Sequence, residues 1–353
     1  MKKSSLISIA ALAGASALVL TGCATDNGGS GGGGGTASTR ACVILPDTES
    51  SDRWENGDRP ALEKAFKDAG FEADIQNAQG STDKMATIAD QQLSKGCGVM
   101  LVTDYQGAGV AVAEKAKAEG IPVIAYDRPI PGVDYYVSFD NVKVGELEGQ
   151  AVVDGLKANG VDPATAVVVY MGGDPSDGNA AMFKEGAVKV MEAAGIKPAA
   201  EPTGVWDTEK SATNFEQALT SLGGKVDAVW SANDANAAGV ISVLDKNGLT
   251  VPVSGQDASV AGLQNVLLGK QTATVYKPFQ LEAKAASDLA IKLLNGETPT
   301  ADKQLDDGTP YIAVTPVLVG PNEVQKVIDD GNAKASEICT GEVAAKCEEL
   351  GIK

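Results

Sequence analysis

The chain contains no histidine. That excludes Ser-His-Asp and Cys-His catalysis and any imidazole metal ligand, and no metal or other cofactor is expected. Positive charge is scarce. Against 47 Asp and Glu there are 29 Lys and Arg, a net charge of −18, which argues against a nucleic-acid phosphate backbone as partner. The same charge suits an extracellular protein that stays a monomer. Aromatic residues make up 5% of the chain, so the placement of each of its three Trp is informative. The apolar run 6–20 is too short for a comfortable transmembrane span. What is present is ordinary for a globular protein, with 43% hydrophobic and 22% charged residues. A length of 353 residues suggests two domains rather than one core.

The N-terminus begins with Met1-Lys2-Lys3, continues through the apolar run, and ends in Leu20-Thr21-Gly22-Cys23. This looks like a bacterial lipoprotein signal, residues 1–22, with the Cys23 thiol as the lipidated group. An ordinary secretory signal with an incidental cysteine is the alternative. The glycine-rich stretch that follows, within residues 23–39, reads as a flexible tether. A lipid there would hold the protein on the cell membrane, extracytoplasmically, without a spanning helix.

From residue 40 the pattern is regular. Strands are expected at 41–46, 71–76, 98–102, 121–125 and 135–139. Helices at 60–69, 82–95 and 108–119 lie between the first four, closed by Gly70, Gly96 and Gly120. A helix over 142–159 leads to a second series, with strands near 166–171, 199–205, 226–230, 251–255 and 272–276. A helix over 277–295, a strand over 312–319 and a helix over 322–330 follow. Repeated βα units predict an α/β fold of two doubly wound, Rossmann-like lobes with parallel sheets. Small ligands bind in the cleft between such lobes, at the carboxyl ends of the strands.

The residues just past those strand ends are polar or aromatic: Asp47, Arg53 and Trp54; Asp127 and Arg128; Asn179; Trp206; Asn233; Asp257; and Lys277. An Asp-Arg pair sets acceptors beside donors, which matches a polyol, whose hydroxyls both give and accept hydrogen bonds. Flat indoles cover the C–H faces of a pyranose at little entropy cost. Most of these residues have a plainer reading, which for Asp127 and Arg128 is a strand-terminal salt bridge at a turn. Trp230 reads as core, Trp206 has a core alternative, and Trp54, which precedes a charged segment, is not expected in the core. Asn233 and Asp257 have the alternative of helix N-caps. Asn179 has that of a loop or early-helix residue, and Lys277 that of a solvated lysine.

The chain resembles the sugar-binding proteins of bacterial ABC importers, the ribose/xylose type, and within it the D-xylose-binding branch. The resemblance runs from about residue 41 to about residue 330. It is carried by Arg53-Trp54, Ala125-Tyr126-Asp127-Arg128, Ser138-Phe139-Asp140-Asn141 with Val144-Gly145-Glu146-Leu147, Met171-Gly172-Gly173 with Asn179-Ala180, Ser231-Ala232-Asn233-Asp234, Gly255-Gln256-Asp257-Ala258 and Thr274-Val275-Tyr276-Lys277-Pro278. It implies the type I periplasmic-binding-protein fold, with lobes joined by a hinge of several chain crossings. The first lobe would comprise 40–141 and about 277–308, the second 142–276 and about 309–331, and 332–353 a tail outside the family core. It implies a monosaccharide ligand held by Arg53, Trp54, Asp127, Arg128, Asn179, Trp206, Asn233, Asp257 and Lys277, an ABC-type sugar permease as partner, and no catalysis. One departure is that 206–210 lacks the second Trp often found in the xylose branch, which leaves the identity of the aldose open.

Apart from Cys23, four cysteines remain. In an exported protein an even number suggests disulfides, with Cys42–Cys97 and Cys339–Cys347 as the expected pairs and buried free thiols as the alternative for the first. Three other functions compete. A glycosidase would use Asp127 and Asp257 as its carboxylate pair. A sugar-responsive regulator would need a basic helix-turn-helix where the glycine tether stands. A sensory receptor for a signalling partner could have the same site.

Overall fold

The computed structural model describes residues 39–353 except Asp52; Cys23, the signal and most of the tether lie outside the described residues. The first lobe starts with β1 (Arg40–Leu45), α1 (Arg59–Asp68), β2 (Glu72–Asn77), α2 (Thr82–Ser94), β3 (Val99–Val102), α3 (Gly109–Ala118), β4 (Val123–Tyr126) and β5 (Tyr135–Phe139). The second contains α4 (Asn141–Ala158), β6 (Val168–Met171), α5 (Gly178–Ala193), β7 (Pro198–Ala200), α6 (Thr208–Ser221), β8 (Ala228–Ser231), α7 (Asp234–Lys246), α8 (Val260–Leu267) and β9 (Thr274–Tyr276). Then come α9 (Phe279–Leu294), β10 (Lys303–Gln304), β11 (Pro310–Val314), β12 (Val317–Val319), α10 (Val324–Asp329), α11 (Ala335–Ile338) and α12 (Val343–Leu350).

The first sheet has the order β10-β11-β5-β4-β3-β1-β2 and is parallel except for its edge strand β10. Both faces are buried, as parallel sheets require. Alternation along β1 shows it: Cys42 and Ile44 join one hydrophobic layer, while Ala41, Val43 and Leu45 join the other. Helix α9 returns to this lobe and buries Ala283, Ala286, Leu289 and Ala290. The second lobe holds a parallel sheet β7-β6-β8 and an antiparallel pair β12-β9. Single bridges, Val229 to Val253 and Gln256 to Val275, link the two.

Three expectations need correction. Residues 251–255 run beside β8 but pair through Val253 alone, because Pro252 has no N–H for a ladder. The strand expected over 199–205 ends at Ala200, where Pro202 and Gly204 follow. The strand expected over 312–319 is two strands in different sheets. β11 pairs with β5 in the first sheet, Ile312 opposite Val137, and β12 pairs with β9. The chain changes lobe at Thr315 and Pro316, so 309–314 belongs to the first lobe, not the second. The other crossings are at Asp140, between β5 and α4, and at Lys277 and Pro278, between β9 and α9. The tail packs on the second lobe, where Ile338, Val343 and Cys347 are buried with Leu263, Leu267 and Tyr276.

Both expected cysteine pairs are bonded, Cys42 to Cys97 and Cys339 to Cys347, each with Cα atoms 5.8 Å apart. The first follows from strand order. Ala41 lies opposite Val99 where β1 pairs with β3, so Cys42 and Cys97 meet at the start of those strands.

Helices α4 and α5 pack backbone against backbone. A Cβ on Gly145 would collide with the carbonyl of Phe183, and one on Gly186 with that of Val142. That close approach fixes where α5 presents Asn179 and Phe183.

Candidate functional site

All nine residues of the expected ligand shell line one cavity between the lobes, together with Ser50, Ser51, Asp177, Phe183 and Gln256; Asp47, the tenth strand-end residue, instead closes the turn after β1, accepting from Glu49 N and Ser50 N. Five of the nine reach the cavity from a strand end, whereas Asn179 comes from the first turn of α5 and Arg53, Trp54 and Trp206 from the connections after β1 and β7. β4 delivers Asp127 and Arg128, and β8 delivers Asn233. The segment beside β8 delivers Gln256 and Asp257, and β9 delivers Lys277.

The two aspartates are placed alike. Asp127 has φ 65° and Asp257 φ 98°, a backbone region that costs a residue with a Cβ roughly 1–3 kcal/mol. In each case the backbone N–H is held by the next strand. Asp127 N donates to the Val137 carbonyl at 2.8 Å, and Asp257 N to the Val275 carbonyl at 2.8 Å. Each carboxylate has a cation: Arg53 Nη1 lies 3.0 Å from Asp127 Oδ2, and Lys277 Nζ 2.9 Å from Asp257 Oδ1.

Arg53 is the most constrained group in the cavity wall. Its Nε and Nη2 donate to Asp58 at 2.7 Å each, and Nη2 also meets Glu282 Oε2. Asp58 and Glu282 are fully buried behind it. Burial alone would lower the Arg53 pKa, but Asp58, Glu282 and Asp127 outweigh it and raise it well above the usual guanidinium value. Burial raises the pKa of Asp58, and that of Glu282 well above the usual carboxylate range, with Arg53 opposing in both cases. Burial would likewise lower Lys277, but Asp257 and Asp127 raise it.

Against expectation, Trp54 is buried in the first lobe's core as well as lining the cavity, because its ring packs under the Arg53 and Arg128 guanidinium groups and its Nε1 donates to Ser50 Oγ at 3.0 Å. The Arg53 and Arg128 guanidinium carbons lie 4.7 and 5.6 Å from its ring centroid. Trp206 is half-buried on the second lobe. Its Nε1 donates to Asp177 Oδ2 at 3.1 Å, and its ring meets that of Phe183 edge-on at 6.4 Å. Trp230 is core, as expected, donating to the buried Glu148 at 2.7 Å.

Contacts across the cleft hold the lobes together around the cavity. Arg128 Nε lies 3.3 Å from Asp177 Oδ2. Asn179 Nδ2 donates to the Asp127 carbonyl at 2.8 Å, and its Oδ1 accepts from Tyr136 Oη at 2.7 Å. Asn179 is thus anchored as well as cavity-lining. Asn233 caps α7 as the alternative reading had it, Oδ1 accepting from Asn236 N at 2.8 Å, and it also lines the cavity. Asp257 is not a cap, since Ser259 caps α8.

Several site residues escaped the sequence reading. Phe183 stands four positions beyond Asn179, hence on the same face of α5, a signal that was there to use. Asp177 caps α5, accepting from Asn179 N at 2.9 Å, and its place just before Gly178 was a second signal. Asp58 and Glu282 left none, because a buried acid and a solvated one look alike in a helical sequence. Among the described residues no group of three or more His, Cys, Asp or Glu could hold a metal ion.

Residues 42–298 match the periplasmic binding protein domain. The chain is 37% identical over 301 residues to the D-xylose-binding periplasmic protein of Escherichia coli K12, spanning 81% of this chain and 89% of that one. It is 35% identical over 294 residues to the protein of the same description from Haemophilus influenzae, spanning 79% and 86%. A solved ABC transporter solute binding protein from Clostridium phytofermentans, with β-D-glucose bound, superposes with a TM-score of 0.75 at 28% identity, covering 85% of this chain and 99% of that one. The chain belongs to the periplasmic binding protein family, type I, in the branch of the D-xylose-binding proteins.

Proposed function

We propose that the protein captures a monosaccharide, an aldose of the xylose type, in the cavity between its lobes and delivers it unreacted to an ABC-type sugar permease. The observation that carries this is the pairing of Asp127 with Arg53 and of Asp257 with Lys277 around one cavity walled by Trp54 and Trp206. Each ion pair offers a ring hydroxyl an acceptor and a donor, and charge-assisted bonds of this kind are the stronger class. A ligand lacking a hydroxyl leaves one of these groups buried and unmatched, which is how selectivity arises. The protein is a receptor rather than an enzyme. Both candidate acids of a glycosidase are tied to cations, whereas that chemistry needs one of its pair to carry a proton to the leaving oxygen.

A ligand that binds only the folded state raises the melting temperature. D-xylose at about 100 times its Kd is expected to raise it by on the order of 5 °C, and D-glucose at the same concentration by less. If no pentose or hexose moves the transition, the sugar reading fails. We further propose that a lipid on Cys23 holds the receptor at the cell membrane beside its permease. Cys23→Ser is then expected to appear in the soluble fraction where the parent chain sediments with membranes; identical fractionation of the two would refute the anchor.

A further inference from the structure

We propose that Asp234 is a positioning residue of the second lobe: its buried carboxylate holds the turn that presents Asp257 to the ligand, so that protonating Asp234 weakens sugar binding. The inference rests on the sugar-receptor reading.

Asp234 is the first residue of α7 and is 1% exposed. It has no cation partner among the described residues. Its carboxylate instead accepts from neutral donors on two other segments: Gln271 Nε2 at 2.8 Å, Thr274 Oγ1 at 2.9 Å, and the backbone N and hydroxyl of Ser259 at 2.9 and 3.2 Å. Its own N–H donates to the Gln256 carbonyl at 3.0 Å. Packing against the carboxylate is tight enough that a Cβ on Gly255 or Gly262 would collide with its oxygens. Asp234 therefore grips both sides of Gln256, Asp257 and Ala258. Within that turn Asp257 and Ala258 have φ 98° and 51°, a strained pair that persists only where the surroundings enforce it. The carboxylate that faces the ligand is held by a second carboxylate that does not.

The charged groups around Asp234 are few. Asp257 faces it from the turn, and Lys277 beyond Asp257 takes up that residue's charge. Glu148 on α4 is buried, and burial pushes its pKa well above the usual carboxylate range. Lys270, next to Gln271, pairs at the surface with Asp245 at 2.9 Å. Burial, reinforced by the charge of Asp257, raises the Asp234 pKa to about 7.

Ionised, Asp234 matches all its donors. Protonated, its O–H can be received only if Thr274 or Ser259 turns its own hydroxyl hydrogen away from the carboxyl, while Gln271 Nε2 and Ser259 N, which only donate, face a weaker neutral acceptor, and the turn loosens. A sugar hydroxyl donating to Asp257 offsets the negative charge that raises Asp234, so the bound form favours the ionised carboxylate. The sign follows: affinity is full above the pKa of the free protein and falls as pH drops through it.

The experiment is the Kd for D-xylose between about pH 5.5 and about pH 8.5, with the melting temperature recorded at each pH. Binding is expected to be about tenfold weaker at the acid end, the equivalent of one unit of pKa difference between free and bound protein. Asp234→Asn should lose most of this slope, and Thr274→Val, which removes a donor from the ionised form, should move the midpoint to higher pH. The second variant keeps the test open if the first does not fold. A Kd that is flat in the parent chain, or a slope unchanged in both variants, overturns the role of Asp234 while sugar binding stands. Absence of binding at every pH overturns both.

Discussion

Replacing Arg53 with alanine is expected to lower the unfolding free energy by about 3–5 kcal/mol, the usual cost of removing one partner from a buried ionic cluster, and to abolish sugar binding. The loss is large because one guanidinium serves three carboxylates. Asp58 and Glu282 are completely buried, and Asp127 is nearly so. Without Arg53 none of them has another cation within ion-pair distance among the described residues. Arg53→Lys should recover part of the stability but little of the binding, since an ammonium supplies the charge without the planar fork that reaches Asp58, Glu282 and Asp127 together. The defect should also depend on pH. Asp58 and Glu282 already have folded-state pKa values raised above their ordinary ones, and loss of the cation raises them further. A carboxyl with a raised folded pKa contributes stability at low pH that disappears as pH rises through that value. The variant should therefore come closest to the parent chain in acid and fall furthest behind in alkali. Urea unfolding at two pH values measures this, and a deficit under about 1 kcal/mol at both would show that the carboxylates find other partners.

Replacing Trp206 with alanine should weaken sugar binding by about 100-fold, or roughly 2.7 kcal/mol, while changing stability far less than the Arg53 variant does. Trp206 is half-buried at the margin of the second lobe's core, beside Phe183; its ring lines the cavity and its Nε1 donates to Asp177. Trp206→Phe keeps an aromatic face but loses the hydrogen bond, so it should recover most of the affinity if the ring is what the sugar meets. Calorimetric titration of both variants decides. Equal Kd values for the parent and alanine chains would remove Trp206 from the ligand's surroundings.

Much of this was legible in the chain itself. Gly70, Gly96 and Gly120 close their helices at φ 80°, 86° and 75°, a conformation glycine adopts without penalty, so the first βα units could be read off directly. The strand-end polar residues were legible for a topological reason, since parallel strands put all their carboxyl ends on one side. Local pattern failed where pairing depends on distant partners. The apolar stretch 312–319 reads as one strand, yet Pro316 divides it between two sheets. Residues 251–255 have strand composition and lie along the free edge of β8, but Pro252 lacks the N–H a full ladder needs there. The supports of Arg53 were hidden differently: Glu282 sits in the first turn of α9, where an acid is ordinarily a solvated complement to the helix dipole.

The insertion of β11 between β5 and β10 bears on the order in which the molecule can assemble. The first sheet draws on both ends of the chain, with Tyr311 paired to Tyr136 across 175 positions. A fragment cut after β5 would leave an unpaired edge on that strand and no α9 to cover one apolar face. Synthesis from the N-terminus therefore leaves the first lobe unfinished until residue 314 has emerged, long after most of the second lobe is available. A ribosome-stalled series truncated on either side of that point should divide sharply into protease-sensitive and protease-resistant chains.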